Sequence, residues 1–260
     1  MTGLAWGWSL AGLLVLAMLG AGLAAMRRRA GQLERLLADN ERKLERLQGQ
    51  FELFVPADVV ERLTEGRGTY PPQRRQVTML FADLRGFTAL CDRLDPAITV
   101  TILNDYFQRM DDAITRHHGH ITELVGDGLL ALFGALEPNP WQGRDSVLAA
   151  LSMREALALY NTDLRARCLP ELRFGIGIHS GEVVAGVMGA GELNKFSVTG
   201  DPINVASRVE GLTREFDVDI LVTNEIRAAL DTRFQLRAMP PVLVKGKPEP
   251  IETFHVLGLH

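Results

Sequence analysis

The sequence predicts an α+β domain behind a single membrane-spanning helix and a short coiled coil, and three observations carry that expectation. Strand-like apolar runs alternate with long helical stretches from about Gln76 to Leu257. Near the N-terminus lies an uncharged apolar run long enough to cross a bilayer. Between the two, apolar residues recur at alternating steps of four and three.

From Leu4 to Met26 no residue carries a charge. At about 1.5 Å per residue, a helix over this run spans a hydrocarbon core of roughly 30 Å. Arg27, Arg28 and Arg29 follow at once, and basic residues favour the cytoplasmic side. Residues 1–29 are therefore expected to anchor the chain in the inner (plasma) membrane, with the rest in the cytoplasm. The competing reading, a cleaved signal peptide, needs a charged leading segment and a shorter apolar run.

Residues 30–75 read as coiled coil, short helix and linker. Leu33, Leu37, Asn40, Leu44, Leu47, Phe51 and Phe54 form a heptad seam, with Arg, Glu, Lys and Gln in most gaps. Asn40 lies on the seam, where a buried amide fixes register and oligomer state. A parallel dimer is expected, a solvated amphipathic helix being the alternative. Pro56 interrupts the pattern, ADVVERL reads as one further short helix, and GRGTYPPQRR as a loop.

Composition narrows the rest. With 260 residues, 47% hydrophobic and 23% charged, the chain can build one sizeable globular domain and an appendage. A net charge of −4 lacks the basic excess of nucleic-acid binders, and that class is set aside. Cys91 and Cys168 show neither metal-ligand spacing nor a pairing framework, as in a reduced, intracellular domain.

Residues 76–260 form the main domain, without internal repeat. Its expected order begins with strand VTMLFAD, a long helix from Thr88 to about His117, and hairpin strands ITELV and LLALFG. A second long helix from about Arg144 to Arg167 follows, then strands LRFGIGIHS and EVVAGVMG and a turn into KFSVTG. A helix from Pro202 to about Glu215, strand ILVT, a short helix and closing strands around VLVKG and ETFHVLG complete a single α+β layer.

Three constellations carry chemistry. FADLRGFT ends a strand with Asp83, and Gly86, Phe87 and Thr88 open a helix whose exposed N–H groups suit phosphate oxygens. Read alone, Asp83 is as well explained as the cap of a turn. In TELVGDGLLALFG, Asp-Gly chemistry suits a two-residue hairpin turn, which places Asp127 at the tip and Glu123 on the incoming strand. If the strands are neighbours, Asp83 and Asp127 converge as hard oxygen ligands beside the phosphate site, an arrangement suited to Mg²⁺ or Mn²⁺ with a nucleotide. In FSVTGDPINVASRVEGL, Asn204 and Arg208 share one helix face at i and i+4. Arg208 offers a donor fork for phosphate, Asn204 can hold a sugar or bridging oxygen, and Lys245 in VKGK adds a point charge.

In these motifs, together with FGIGIHSGEVVAGVMG and VKGKPEPIETFHV, the sequence resembles the class III nucleotidyl cyclases over roughly Phe51 to Val256. The resemblance implies a ferredoxin-like catalytic domain working as a homodimer with two composite sites at its interface. It implies conversion of a nucleoside triphosphate to its 3′,5′-cyclic monophosphate and pyrophosphate. In that scheme Asp83, Leu84 and Asp127 bind two Mg²⁺ or Mn²⁺ ions, Asn204 and Arg208 support the transition state, and Lys245 holds phosphate. No protein nucleophile is needed, and His118 and His179 read as structural or surface residues.

The resemblance also gives Glu123 a role. Adenylyl cyclases of the family typically carry Lys at that position and Asp or Thr at the position of Ser197; guanylyl cyclases resemble this sequence more closely at both. An ionised Glu123 can accept from guanine N1–H and N2–H₂ while Ser197 donates to O6. GTP is therefore the expected substrate. An adenylyl cyclase, or a catalytically silent cyclase-like signalling domain, are the rival readings.

Overall fold

The computed structural model describes residues 72–188, 195–243 and 249–260. The expected membrane span, the heptad seam and Lys245 lie outside the described residues. Among the described residues no helix is long and apolar enough to cross a membrane.

One strongly connected sheet organises the domain. Strand β1 (Gln73–Leu84) lies between β3 (Gly128–Phe133) and β4 (Phe174–Met188), antiparallel to both. The hairpin partner β2 (Gly119–Val125) forms the edge beside β3. Beyond β4 come β6 (Ile220–Thr223), β8 (Thr253–Leu259) and β7 (Phe234–Ala238), while β5 (Lys195–Thr199) pairs with the far end of β4. The β4–β6 pair is parallel and the others antiparallel. The β2-β3-β1-β4 order, with helices after β1 and β3, is the split β-α-β arrangement of ferredoxin-like sheets.

The two sheet faces are covered by different means. Leu80, Ala82 and Leu84 of β1, with Phe174, Ile176 and Ile178 of β4, face helices α2 (Pro96–Thr115) and α3 (Gln142–Ala166) in one apolar cluster. Buried residues recur at helical spacing on both: Ile102, Tyr106 and Met110 on α2, Met153, Leu157 and Leu164 on α3. On the opposite face, helix α4 (Asp201–Glu215) lies against β4 almost backbone to backbone. A Cβ at Gly177 would fall 2.1 Å from the Glu210 amide nitrogen, so only glycine admits the helix there.

Three expectations are corrected. The single long helix after β1 is broken into α1 (Phe87–Cys91) and α2, because Asp95 caps the second start by accepting from Ala97 N at 2.8 Å and Pro96 occupies a first-turn position. The two strands expected on either side of Ser180 are one, since β1 pairs with β4 continuously from Gln73↔Ala185 to Leu84↔Phe174. FQLRA, which had no expected role, is strand β7; VLVKG contributes only an isolated bridge from Val242 to Ile251 among the described residues. The short helix α5 (Asn224–Arg227) falls where expected.

Candidate active site

The hairpin forms where expected, but its two turn residues are Gly126 and Asp127, not the expected Asp127 and Gly128. Val125 pairs with Gly128, and Gly126 adopts φ 63°, a left-handed conformation that favours glycine. Asp127 thereby sits half-exposed at the tip. A Cβ at Gly128 would lie 3.0 Å from Asp83 Oδ1, so the hairpin's returning strand rests directly beside the first acid. Burial, then the charge of Asp127, raises the Asp83 pKa, with Arg214 opposing from 3.6 Å. Two carboxylates are thus held where their charges repel.

Leu84, next in the chain, is buried in the α2–α3 core, which leaves its backbone carbonyl as its only group able to bind a cation. Gly86 adopts φ 69° at the start of α1, and no side chain caps that start. Phe87 is buried and Thr88 exposed. Arg85 fixes this corner: its backbone N–H donates to Arg173 O at 2.7 Å. Its guanidinium donates to the Thr213 carbonyl at 2.9 Å, to the Val218 carbonyl and to Asp217 at 3.1 Å. The segment carrying Asp83 is therefore tied to the C-terminal end of α4.

Glu123 pairs opposite Leu130, which pairs with Phe81, which pairs with Gly177; directly opposed residues share a sheet face, so Glu123 and Asp83 lie on the same face. A bulge at Ile121/Glu123 sets that register. Ser197 is half-buried on β5 opposite Gly186.

Helix α4 has two working faces. Gly175 and Gly177 of the sheet meet Ala206, Glu210 and Thr213. At about 100° per residue, Asn204 and Arg208 stand roughly 160–200° round the helix from Ala206. Asn204 is exposed and Arg208 half-exposed. The structure therefore joins Asp83 to Asp127 but directs the Asn204–Arg208 pair away from the sheet that holds them.

The sheet-facing side brings residues that sequence reasoning did not single out. Burial, then the charge of Asp83, pushes the Glu210 pKa up to about 7, against the opposing charges of Arg214 and Arg85. Glu210, Arg214 and Arg85 thus belong to the electrostatic surroundings of the acid pair. The only signal in the sequence was that Glu210 and Arg214 are a turn apart on the helix bearing Arg208. His179 is buried on β4, its Nδ1 2.9 Å from Thr223 Oγ1, a structural position as expected.

Comparison with known proteins identifies the family. Residues 69–258 match the family model described as the adenylate and guanylate cyclase catalytic domain. An adenylate cyclase of Anabaena cylindrica is 34% identical over 82% of this chain and 44% of its own length. Guanylate cyclase 2G of Rattus norvegicus is 30% identical over 85% of this chain and 20% of its own. The chain thus spans less than half of these relatives. The crystal structure of a guanylyl cyclase superposes with a TM-score of 0.69 at 34% identity, covering 73% of this chain and 95% of that one. The chain belongs to the adenylate and guanylate cyclase catalytic domain family.

Proposed function

We propose that the chain is a membrane-anchored, homodimeric nucleotidyl cyclase that converts a nucleoside triphosphate, GTP by preference, to its 3′,5′-cyclic monophosphate and pyrophosphate. The observation that carries this reading is the two-faced helix α4. Asp83 and Asp127 lie on the sheet, while Asn204 and Arg208 point the other way, so one chain offers two half-sites rather than one complete site. Two chains arranged head to tail complete both. The seam from Leu33 to Phe54 and the anchor at Leu4–Met26 would raise the effective concentration of the second chain, with the domain on the cytoplasmic side of the inner (plasma) membrane.

In the reaction the ribose 3′-oxygen attacks the α-phosphorus, the 3′-proton leaves, and the bond to the pyrophosphate oxygen breaks. The donor set fits Mg²⁺ or Mn²⁺: two carboxylates forced together, with the Leu84 carbonyl between them in sequence. Asp83, Leu84 and Asp127 would hold two such ions. When bound, they lower the pKa of the 3′-hydroxyl and neutralise the departing pyrophosphate. Arg208 supplies a guanidinium to the α-phosphate oxygens as charge builds there, and Asn204 steadies the ribose. Amides at Gly86, Phe87 and Thr88, with Lys245, take the remaining phosphate oxygens.

Base choice rests on Glu123 and Ser197, since relatives of both activities are similarly distant. Glu123 presents two acceptors to guanine N1–H and N2–H₂, and Ser197 a donor to O6; adenine N1 would face a carboxylate lone pair. A mispaired buried edge costs about 1–3 kcal/mol per group, one or more decades of preference. The test is kcat/KM for GTP and ATP with purified full chain under Mg²⁺ and Mn²⁺. A larger value for GTP, shifted toward ATP by Glu123→Lys with Ser197→Asp, is expected; an ATP preference under both ions overturns the base assignment. Mixing inactive Asp83→Ala and Arg208→Ala chains should restore activity, and demonstrated heterodimers without turnover would sink the shared site.

A further inference from the structure

Leu84 serves the metal set through its carbonyl alone, so what matters there is the direction of one peptide plane. In a trans peptide the carbonyl of one residue and the N–H of the next point opposite ways. The Arg85 N–H donates to Arg173 O at 2.7 Å, continuing the pairing of β1 with β4. The Leu84 carbonyl therefore points to the other flank of β1, toward β3 and its hairpin. Pairing of β1 with β3 ends at Ala82↔Leu129, and the same register carried two residues further sets Leu84 opposite Asp127. The strands are still in contact on the way, since a Cβ at Gly128 would lie 3.0 Å from Asp83 Oδ1.

That plane is held by the Arg85 side chain, and the chain beyond it is permissive. Gly86 is left-handed at φ 69°, and no side chain caps the start of α1. Arg85 shares a strand face with Asp83, and its side chain is only 14% open to solvent. Its guanidinium donates to the Thr213 carbonyl at 2.9 Å, to the Val218 carbonyl and to Asp217 at 3.1 Å. Asp217 also accepts from Arg173 Nη2 at 3.1 Å. The backbone and the side chain of Arg85 thus end on one cluster, Arg173 and Asp217, at the C-terminal end of α4.

We propose that Arg85 is a positioning residue for the metal site: it fixes the peptide plane that turns the Leu84 carbonyl toward Asp127, where a divalent ion meets both. Its guanidinium faces the end of α4 and acts through Leu84, not on the ion or the substrate. This rests on the reading of Asp83, Leu84 and Asp127 as metal ligands. Outer groups that orient a ligand in this way commonly change metal affinity by about 10–100-fold. The sign of the effect is diagnostic. A positive charge near the acids repels an incoming cation, so loss of the Arg85 charge alone should tighten metal binding. Loss of positioning should weaken it.

The test measures Mn²⁺ uptake by the full chain from the EPR signal of free Mn²⁺, with 3′-deoxy-GTP or 3′-deoxy-ATP as a nucleotide that lacks the attacking hydroxyl. Wild type, Arg85→Met, Arg85→Lys, Asp83→Asn and Arg154→Ala are compared, each well below its metal-free Tm. Arg154→Ala also removes an arginine from backbone carbonyls, those of Val256 and Leu257, and so reports general loosening away from the metal loop. Arg85→Met is expected to weaken Mn²⁺ binding about tenfold while Arg154→Ala binds as wild type does. Arg85→Lys keeps the charge but not the planar fork; it should weaken binding by a smaller factor and carries the test if Arg85→Met does not fold. If Asp83→Asn loses Mn²⁺ but the folded Arg85 variants bind as tightly as wild type or more so, the metal site stands and the role of Arg85 is overturned. An equal loss in Arg154→Ala overturns it too, since loosening alone then suffices. If wild type and Asp83→Asn take up Mn²⁺ equally, the metal site itself is misassigned and the proposal falls with it.

Discussion

Asp83 and Asp219 are the same residue at equal exposure, with side chains 37% and 36% open to solvent, yet their surroundings are opposite. Asp219, just before β6, receives Arg154 Nε at 2.7 Å and Nη2 at 3.0 Å, and His255 Nε2 lies 3.1 Å away. Burial pushes its pKa up, but the Arg154 hydrogen bonds and charge, aided by His255, outweigh that and lower it. Arg154 also donates to the Val256 and Leu257 carbonyls, tying α3 to β6 and β8. Asp83 has Asp127 and Glu210 for company, with one arginine 3.6 Å away, and its pKa is raised. Partners, and not depth, separate the two. A satisfied acid serves as scaffold, whereas an acid pressed against other acids is a place for a cation.

That contrast breaks most sharply at the acids themselves. Asp83→Asn should lower kcat by about 10²–10³-fold or more. It should also raise the metal-free Tm by about 1–2 °C, a small gain because solvent screens the half-exposed repulsion. A fall in both would place Asp83 among the scaffold residues.

Gly177→Ala tests the helix that serves the acid site. The added methyl would meet the Glu210 amide, and overpacking of this kind costs about 1–3 kcal/mol. Melting temperature and turnover should fall together. Normal turnover from a destabilised variant would mean that the seating of α4 on β4 is irrelevant to the site.

Arg154→Ala should cost about 1–2 kcal/mol, lowering Tm by roughly 2–6 °C while leaving kcat per folded molecule unchanged. Calorimetry alongside turnover separates the two effects. The smallest difference is expected in acid. Because the folded Asp219 pKa is depressed, its stabilisation is complete above the ordinary aspartate value of 3.8 and lost as pH falls through the lower folded value. Thermal melts of Asp219→Asn should therefore vary less with pH below 4 than those of wild type, as a rough bound. Parallel curves would remove Asp219 from the acid response.

Much of this was legible in the sequence, and what was not has physical reasons. The β2–β3 hairpin could be read because Gly126-Asp127-Gly128 specifies its own turn. The break between α1 and α2 was written in Asp95-Pro96, a cap followed by a first-turn proline, and was overlooked beneath a continuous helical pattern. Strand β4 looked like two because His179-Ser180-Gly181 resembles a turn, whereas a long partner strand holds it extended. Asp83 and Asp127 carried the site in sequence, since each stands at a strand end or a turn tip. Glu210 did not, because it looks like an ordinary helix residue until tertiary packing brings Asp83 near it.

The two-sided helix has a mechanical consequence. In a dimer of the proposed kind, each α4 turns Glu210 and Arg214 toward the acids of its own chain and Asn204 and Arg208 toward those of the other. It is a single rigid rod fifteen residues long, seated on β4 without intervening side chains at Gly177. Any tilt of that rod changes the electrostatics of one reaction centre and the geometry of the second in the same movement. In such a dimer the two centres would be geared to each other by one part.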